Sequence, residues 1–423
     1  MREQLEALGY RLVAWGGEAD LYVVNSCTVT GRADRDTRRL ARLARRLNPS
    51  ATVVVSGCYV DVAREQLAAM DEVDLLVSNA EKARLAELLA SLKTGAAVPG
   101  PSERAGYGGT GPLITHFSSH TRAFVKVQEG CDGGCAYCII PRARGPARSV
   151  PREDVERQVR LLAHAGHREI VLIGTHLGRY GADLESGVDL EGLVRSLAEL
   201  DCVGRLRLSS IEPLEVGSGL IEALAGGGRA LDPGAGGLSA RGKLCRHLHL
   251  PLQSGSDEVL RAMGRPYRTG DYAQLCAELV ARAPGVGLGA DVLVGFPGET
   301  EELFAETEAF VRSLPLTYLH VFTYSPRPGT PAAERPDQVP PEKRKARNHV
   351  LRALGAAKLA AFAQSQVGAT LEVVPERRAE DGRLDAISDN YLRVVHPGPD
   401  DLIGRITRLA VTEAEAGHLV GRL

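Results

Sequence analysis

Residues 131–138 read Cys-Asp-Gly-Gly-Cys-Ala-Tyr-Cys, which places three cysteines at spacings of three and two intervening residues. The stretch follows an apolar run, Ala123 to Val127, and the next cysteine is Cys202. Three thiolates on one glycine-containing turn can hold three irons of a four-iron cluster, whereas a four-cysteine zinc site needs a fourth thiolate nearby. The spacing therefore favours an iron–sulfur cluster with one open iron over a partial zinc ribbon or three buried thiols.

The composition is that of an ordinary globular protein. The chain has 423 residues, of which 44% are hydrophobic and 25% charged, and its net charge is -2. This length suggests roughly two to four domains, and the composition excludes a fibre or a disordered chain. The first residues lead into an amphipathic helix pattern, and no apolar run is as long as a membrane span. We therefore expect a cytoplasmic monomer without membrane contact, in which any RNA-binding surface is a local patch.

Short apolar strands alternate with helical patterns over residues 1–95, which predicts a doubly wound parallel sheet. Cys27 and Cys58 follow the predicted strands Leu21–Val24 and Thr52–Val55 at their carboxyl ends, where ligand sites in such sheets gather. On these residues alone, core thiols are the better interpretation, because two ligands cannot hold a cluster well.

Residues 122–355 contain six apolar strand candidates separated by helical patterns, which predicts an open (β/α)6 barrel, a partial TIM barrel. The working groups of such barrels project from the carboxyl ends of the strands. Polar or glycine residues at these ends that could bind a ligand are Gly174, Thr175, Ser210, Glu212 and Gln253.

The remaining segments predict a linker and a third domain. Residues 96–121 are rich in Gly, Pro and Ser without periodicity, which suits a linker. Residues 360–423 contain several short strand candidates, which predict a small antiparallel β-barrel. Arg38, Arg42 and Arg45 recur on one flank of a predicted helix and form either an RNA phosphate-docking surface or a solvated face.

Several motifs together resemble the radical S-adenosylmethionine (SAM) methylthiotransferases. They are Asn25-Ser26-Cys27, Ser56-Gly57-Cys58, the Cys131 motif, the segment His249 to Ser256, and the segment Asp291 to Thr300. The resemblance covers nearly the whole chain. It implies a radical SAM core in the barrel and an RNA-binding TRAM-like domain at the carboxyl end. It also implies that Cys131, Cys135 and Cys138 hold a 4Fe-4S cluster whose open iron binds SAM, close to Tyr137 and the strand-end residues.

The resemblance further implies a second, auxiliary 4Fe-4S cluster on three cysteines of the amino-terminal domain, of which Cys27 and Cys58 are two. The family's first cysteine precedes a helix like the one predicted to begin at Arg2, and this sequence has no such cysteine. A start codon assigned too far downstream, a true truncation, or a different ligand would each account for this. We expect the first, because a parallel sheet that loses a strand exposes an edge.

In this family one SAM supplies a methyl group to sulfur associated with the auxiliary cluster, and a second SAM is cleaved to a radical that activates a C–H bond. The segment Leu206 to Pro213 resembles the branch that methylthiolates C2 of N6-threonylcarbamoyladenosine beside the tRNA anticodon. The expected partners are tRNA and a reducing electron donor such as a flavodoxin. Alternatives are methylthiolation of isopentenyladenosine or of a ribosomal-protein aspartate, and a single-cluster radical SAM enzyme. A non-enzymatic RNA-binding or zinc protein is a further alternative.

The other cysteines and the histidines carry no predicted chemistry. Cys202, Cys245 and Cys276 lack ligand-like spacing and are expected to be core or loop thiols. No histidine is expected to pair with a carboxylate in a relay; His176 and His249 lie at strand ends, where simple packing explains them. A Cys-His hydrolase therefore has little support.

Overall fold

The computed structural model describes residues 1–94, 113–115, 117, 120–226, 242–415 and 417–423. Most of the predicted linker, 96–121, lies outside this range. The chain forms two compact units, which are not consecutive in sequence. The first comprises Met1–Leu113, Glu129–Arg148 and Ser325–Glu334, and the second comprises Ile114–Gln128, Ser149–Tyr324 and Arg335–Leu423. The domain boundaries proposed from the sequence stay a prediction.

The first unit is built on a parallel three-stranded sheet in the order β1-β2-β3. Val53 shares an apolar cluster with Ala41 on one face of this sheet, and Val54 shares another with Leu88 on the opposite face. Because helices cover both faces, the sheet is doubly wound, as predicted. The elements are α1 (Arg2–Ala7), β1 (Leu21–Ser26), α2 (Gly31–Leu47), β2 (Thr52–Gly57), α3 (Cys58–Ala68), β3 (Leu75–Val77) and α4 (Leu85–Thr94).

The second unit contains the six barrel strands, all parallel, in two three-stranded sheets. Single β-bridges from Leu206 to Leu244 and from Ser210 to His249 connect the two sheets. This arrangement confirms the predicted open (β/α)6 barrel. The first sheet contains β4 (Ala123–Lys126), β7 (Glu169–Ile173) and β8 (Arg205–Leu208), and the second contains β9 (His247–His249), β10 (Gly287–Val294) and β11 (Tyr318–Thr323).

Amphipathic helices alternate with the barrel strands and bury their apolar residues in one continuous core. In α6, for example, Val155, Val159 and Leu162 are buried, as their spacing predicts. No helix in the described part of the chain is long and apolar enough to cross a membrane. The remaining elements are β5 (Gln128–Glu129), α5 (Ile140–Arg144), β6 (Arg148–Ser149), α6 (Arg152–His164), α7 (Leu190–Ala198), α8 (Ser218–Gly226), α9 (Asp257–Ala262), α10 (Thr269–Arg282), α11 (Glu301–Ser313), α12 (Pro331–Glu334) and α13 (Pro341–Ser365).

The carboxyl-terminal segment closes into a five-stranded barrel in the order β12-β13-β14-β16-β15. The prediction of a small barrel is confirmed, but its strands are not all antiparallel, because β14 and β16 pair in parallel. The sequence predicts strands at Thr370–Val374, Tyr391–Val395 and Ile403–Val411 but none at 384–388. All five residues of that observed strand, β13, are buried, so it lacks the alternation of a half-exposed strand. The strands are β12 (Thr370–Arg378), β13 (Leu384–Ser388), β14 (Arg393–His396), β15 (Thr407–Glu415) and β16 (His418–Arg422).

A buried charge network joins this small barrel to the (β/α)6 barrel within the second unit. Arg205 donates to Glu169 at 2.6 Å, and Arg207 donates to the other carboxylate oxygen at 2.7 Å. The same guanidinium groups donate to the backbone carbonyls of Ile387 and Asp389. Because each buried charge is paired and hydrogen-bonded, the network fixes the position of the small barrel.

We expect Glu169→Gln to lower the free energy of unfolding by roughly 3 kcal/mol, because it leaves two buried guanidinium charges without a counter-ion. Burial raises the pKa of Glu169, but the charges of Arg205 and Arg207 outweigh that effect and lower the pKa to about 2. Because the pKa of Glu169 is lower in the folded than in the unfolded protein, its ionised carboxylate stabilises the fold at pH values above the unfolded-state pKa. This stabilisation is lost as the pH falls towards 2. Denaturant unfolding at pH 7 and at pH 3 measures the difference in free energy of unfolding between wild type and Glu169→Gln, and we expect this difference to be smaller at pH 3.

The matched control is Glu308→Gln, which removes the solvent-exposed ion pair with Arg312 on α11. Exposed pairs contribute roughly 0–1 kcal/mol, so this variant should unfold nearly as the wild type does. Equal effects of the two substitutions would contradict the role given to the buried network.

Candidate active site

The three predicted cluster cysteines lie on one loop of the first unit. Cys131, Cys135 and Cys138 are all half-buried and form no disulfide. The amide of Gly133 donates to the Cys131 sulfur at 3.3 Å, and the amide of Cys138 donates to the Cys135 carbonyl at 3.0 Å. Tyr137 is half-buried within the same turn. The loop therefore presents three thiols, with a backbone N–H group directed at one of them.

Glycine at position 130 is what allows the loop to turn. Its φ is +76°, and a Cβ atom there would lie 1.9 Å from the carbonyl oxygen of Pro146. The amide of Cys131 then donates to the Gly145 carbonyl at 3.1 Å, which closes the base of the loop. Asp132 also accepts from the amide of Ala147 at 3.1 Å.

Cys27 and Cys58 occupy equivalent positions at the ends of neighbouring strands. The strand register pairs Ser26, the last residue of β1, with Gly57, the last residue of β2, and each cysteine is the residue that follows. Cys27 is exposed, whereas Cys58 is buried at the start of α3. Ser26 connects the two strand ends, since its hydroxyl donates to Ser56 O at 2.6 Å and accepts from the amide of Tyr59. The structure thus places the two cysteines predicted for the auxiliary cluster at the ends of neighbouring strands.

Polar residues that the sequence analysis missed surround the Cys58 sulfur. The side-chain amide of Asn79 donates to this sulfur at 3.3 Å and to the carbonyl of Ala143 at 3.3 Å. Arg144 also forms a hydrogen bond with Cys58, and Lys82 donates to the Asn79 oxygen at 2.7 Å. Asn79 follows β3, so strand-end position was its available signal, whereas Arg144 is the last residue of α5. These groups can stabilise negative charge on the sulfur.

Residues 325–334 are tied to the same unit by a buried ion pair. Arg327 donates to Asp34 at 2.6 Å and to Thr28 at 2.7 Å. Next to this pair, the amide of Gly31 donates to the Ser325 hydroxyl at 3.0 Å. The amide of Ala332 donates to the carbonyl of Ala136 inside the cysteine loop. The segment therefore connects the start of α2 to the loop.

The predicted RNA-binding arginines all have partners within the unit. Arg45 donates to the carbonyls of Pro49 and Ala51 and forms an ion pair with Asp74 at 2.7 Å. Arg42 lies 3.5 Å from Glu72, and Arg38 contacts Tyr59. RNA binding by these arginines stays a prediction, and Arg45 has the most extensive structural role of the three.

In the second unit, the predicted cofactor-binding residues follow the carboxyl ends of adjacent strands. Gly174 and Thr175 come after β7, where a Cβ on Gly174 would lie 3.0 Å from the Cα atom of Leu177. Ser210 is exposed, and its backbone forms the isolated β-bridge with His249. Gln253 has a φ of +67°, unusual for a residue other than glycine. Backbone strain of this kind concentrates at functional sites.

Glu212 lies beside Arg265. Arg265 forms an ion pair with it and stacks over the ring of Tyr267 at 4.9 Å. Burial raises the pKa of Glu212, and the charge and hydrogen bond of Arg265 oppose this rise. Because the net effect is a raised pKa, the Glu212 carboxyl holds a proton at a higher pH than an exposed carboxyl does.

The expectation that no histidine pairs with a carboxylate is wrong. His176 lies 2.9 Å from Glu215, and His249 lies 2.9 Å from Asp291, which also approaches His320. Sequence distance hid these pairs, because each joins residues on different strands or loops. Polar residues at alternating positions of β9, β10 and β11 were the available signal.

The donor set on the cysteine loop fits a four-iron cluster with one open iron. Within residues 129–148 the thiols number three, and Gly133 supplies an amide toward sulfur. Thiolate ligands with amide hydrogen bonds are typical of such clusters. Cys27 and Cys58 offer two further thiols at neighbouring strand ends.

Family models match most of the chain. Residues 125–311 match the Radical SAM superfamily, and residues 1–78 match the Uncharacterized protein family UPF0004. The threonylcarbamoyladenosine tRNA methylthiotransferase MtaB of Bacillus subtilis (strain 168) is 35% identical over 96% of this chain and 88% of its own length. The chain belongs to the radical SAM methylthiotransferase family. As a methylthiotransferase of this superfamily, it uses SAM and 4Fe-4S clusters.

Two further relatives carry the same and a different substrate name, respectively. The MtaB of Aquifex aeolicus (strain VF5) is 35% identical over 95% of this chain and 93% of its own length. A tRNA-2-methylthio-N(6)-dimethylallyladenosine synthase from Desulfitobacterium hafniense (strain Y51) is 31% identical over 96% and 89%. Among solved structures, the radical SAM methyltransferase TsrM of Kitasatospora setae, with cobalamin and a 4Fe-4S cluster, has a TM-score of 0.55 at 17% identity. The aligned region covers 78% of this chain and 68% of the TsrM chain, so the two proteins share the fold.

We expect Gly130→Ala to destabilise the cluster-free protein by roughly 2 kcal/mol or more, because alanine is strained at this φ and its Cβ overlaps Pro146. Gly134→Ala is the matched control in the same loop, where nothing lies within 4 Å of the added Cβ. Thermal unfolding monitored by circular dichroism measures both. A Gly130→Ala protein as stable as Gly134→Ala would contradict the loop geometry.

Proposed function

We propose that this methylthiotransferase adds a methylthio group to C2 of N6-threonylcarbamoyladenosine, the tRNA nucleoside beside the anticodon. The observation that carries the proposal is near full-length similarity, at 35% identity, to two proteins named for this substrate. The segment Leu206 to Pro213, with Glu212 after β8, has the pattern of the same branch. Isopentenyladenosine is the second candidate, because a relative named for that nucleoside is 31% identical.

We assign the cluster that binds SAM to Cys131, Cys135 and Cys138, and the auxiliary cluster to Cys27 and Cys58. With these groups bound, SAM supplies both the methyl group and the radical that activates the C–H bond. The third protein ligand of the auxiliary cluster has no counterpart among the cysteines of this sequence.

The protein's own part is to bind, orient and protect the reacting groups. Asn79 and Arg144 hold the Cys58 sulfur in place through hydrogen bonds. Tyr137 lies in the cysteine loop, and residues at the strand ends would bind SAM with backbone and hydroxyl groups. These residues are Gly174, Thr175, Ser210, Glu212 and Gln253.

The partners follow from this chemistry. A tRNA would dock against α2, which carries Arg38, Arg42 and Arg45. A reduced donor such as a flavodoxin would supply the electron, and we place the reaction in the cytoplasm with a monomeric enzyme.

The test is carried out in bacteria that lack their own threonylcarbamoyladenosine methylthiotransferase. We expect expression of this chain to produce the 2-methylthio nucleoside in digested total tRNA, detected by mass spectrometry. Cys138→Ala should abolish it, because two thiols cannot retain the cluster. Cys276→Ala, which changes a buried thiol within the apolar core, is the matched control.

Three results are informative. Product with wild type and Cys276→Ala, and none with Cys138→Ala, supports the proposal. Methylthiolated isopentenyladenosine instead would favour the second candidate. Absence of both nucleosides, with the protein present in soluble form, would contradict the proposed function of this chain.

A further inference from the structure

Three side chains meet on one face of β9, β10 and β11, and we call them the His–Asp–His cluster: His249, Asp291 and His320. The Nε2 atom of His249 lies 2.9 Å from Oδ1 of Asp291, and Nδ1 of His320 lies 3.6 Å from the same oxygen. The neighbours Ala290 and Val292 are buried in the apolar core. Because side chains alternate along a strand, Asp291 points away from that core, toward the inside of the barrel.

This inner face is accessible to a ligand. The side chain of His320 is 53% exposed and that of Asp291 21%. Phe322, two residues further along β11, is 47% exposed. A polar group of a bound molecule can therefore reach both His320 and Asp291.

A chain of hydrogen bonds determines which nitrogen of His249 carries a proton. The hydroxyl of Tyr318 lies 3.0 Å from His249 Nδ1 and 2.9 Å from His247 Nε2. Burial holds the pKa of His247 well below its ordinary value, and its Nδ1 atom has no hydrogen-bond partner in the described part of the chain. A buried N–H without a partner is rarer than a bare acceptor, so the proton of His247 is on Nε2.

His247 consequently donates to Tyr318, and the Tyr318 hydroxyl donates to Nδ1 of His249. The Nε2–H group of His249 then donates to Asp291. Burial raises the pKa of Asp291, but the neighbouring imidazoles of His249 and His320 outweigh that effect and lower the pKa to about 2. Asp291 is therefore an oriented anion that can accept a further hydrogen bond near neutral pH.

We propose that the His–Asp–His cluster binds the urea group of the N6-threonylcarbamoyl substituent, with Asp291 accepting from a urea N–H and His320 donating to the urea carbonyl. A urea presents a donor beside an acceptor, which complements a carboxylate beside an imidazole. The proposal rests on the proposed function and assigns to it the residues that select the substrate. None of these residues is assigned as a ligand of an iron–sulfur cluster.

The cluster would discriminate against an apolar N6 substituent. An isopentenyl group would cover the Asp291 carboxylate and His320 without forming a hydrogen bond to either. Sites built around hydrogen bonds reject analogues that lack them far more strongly than apolar pockets reject an altered methylene. Substitution of Asp291 or His320 should therefore weaken discrimination between the two substituents.

A divalent cation is another ligand that two imidazoles and a carboxylate can hold. Such an ion would need a bare Nε2 atom on His249. The hydrogen bonds through Tyr318 and His247 instead leave a proton on that atom. The network therefore favours the urea.

The test measures the Kd of anticodon stem-loop RNAs for the full-length, anaerobically reconstituted protein with SAM and no reductant. The RNAs differ only in carrying threonylcarbamoyladenosine, isopentenyladenosine or adenosine. We expect wild type to bind the first at least about tenfold more tightly than the others, and Asp291→Asn and His320→Phe to lose that preference. His320→Gln, which keeps a donor, should retain part of it. His164→Phe, at an exposed site on α6, should retain all of it.

The outcomes separate this proposal from the function on which it rests. Variants that keep the wild-type preference would show that the cluster does not recognise the substituent, while the proposed function stands. A wild-type protein without preference for threonylcarbamoyladenosine would overturn the proposed function and this proposal together. A stoichiometric metal other than iron that Asp291→Asn removes would reassign the cluster to a cation. His320→Phe lies at a half-exposed site and should fold, which thermal unfolding checks.

Discussion

The carboxyl ends of parallel β-strands are the constraint on which the functional arrangement of both units depends. In a parallel sheet every strand ends at the same edge, so residues far apart in sequence are brought together there. Cys27 and Cys58 follow β1 and β2 in this way. Gly174, Ser210 and Gln253 do the same around the (β/α)6 barrel. Each sheet therefore supplies a scaffold, and the chemistry is carried by short loops on it.

Buried ion pairs fix the positions of a loop segment in the first unit and of the small barrel in the second. Arg327 with Asp34 fixes the segment beside the cysteine loop in the first unit. Glu169 with Arg205 and Arg207 attaches the small carboxyl-terminal barrel in the second. Such pairs contribute little net stability compared with apolar contacts, but breaking one leaves an uncompensated charge. They therefore specify one arrangement of elements that apolar packing alone would leave less defined.

The sequence was sufficient for the strands of the parallel sheets and for the cysteine loop, because both are local patterns. Apolar runs predicted β1 and β2 to within two residues of their observed bounds, and the Cys131 spacing located the thiols. The missed features are non-local. The pairing of His249 with Asp291 joins residues on two strands, and the contacts of Arg144 with Cys58 depend on the approach of α5 to α3. The parallel pairing of β14 with β16 likewise depends on closure of the small barrel.

The central claim is that this chain itself performs radical methylthiolation of threonylcarbamoyladenosine. The most direct measurement incubates the purified, anaerobically reconstituted protein with SAM, a chemical reductant, sulfide and a stem-loop RNA carrying that nucleoside. We predict that 5'-deoxyadenosine and the 2-methylthio nucleoside form together, and that Cys138→Ala forms neither. Formation of 5'-deoxyadenosine without the methylthio nucleoside, in protein shown to contain both clusters, would contradict the account.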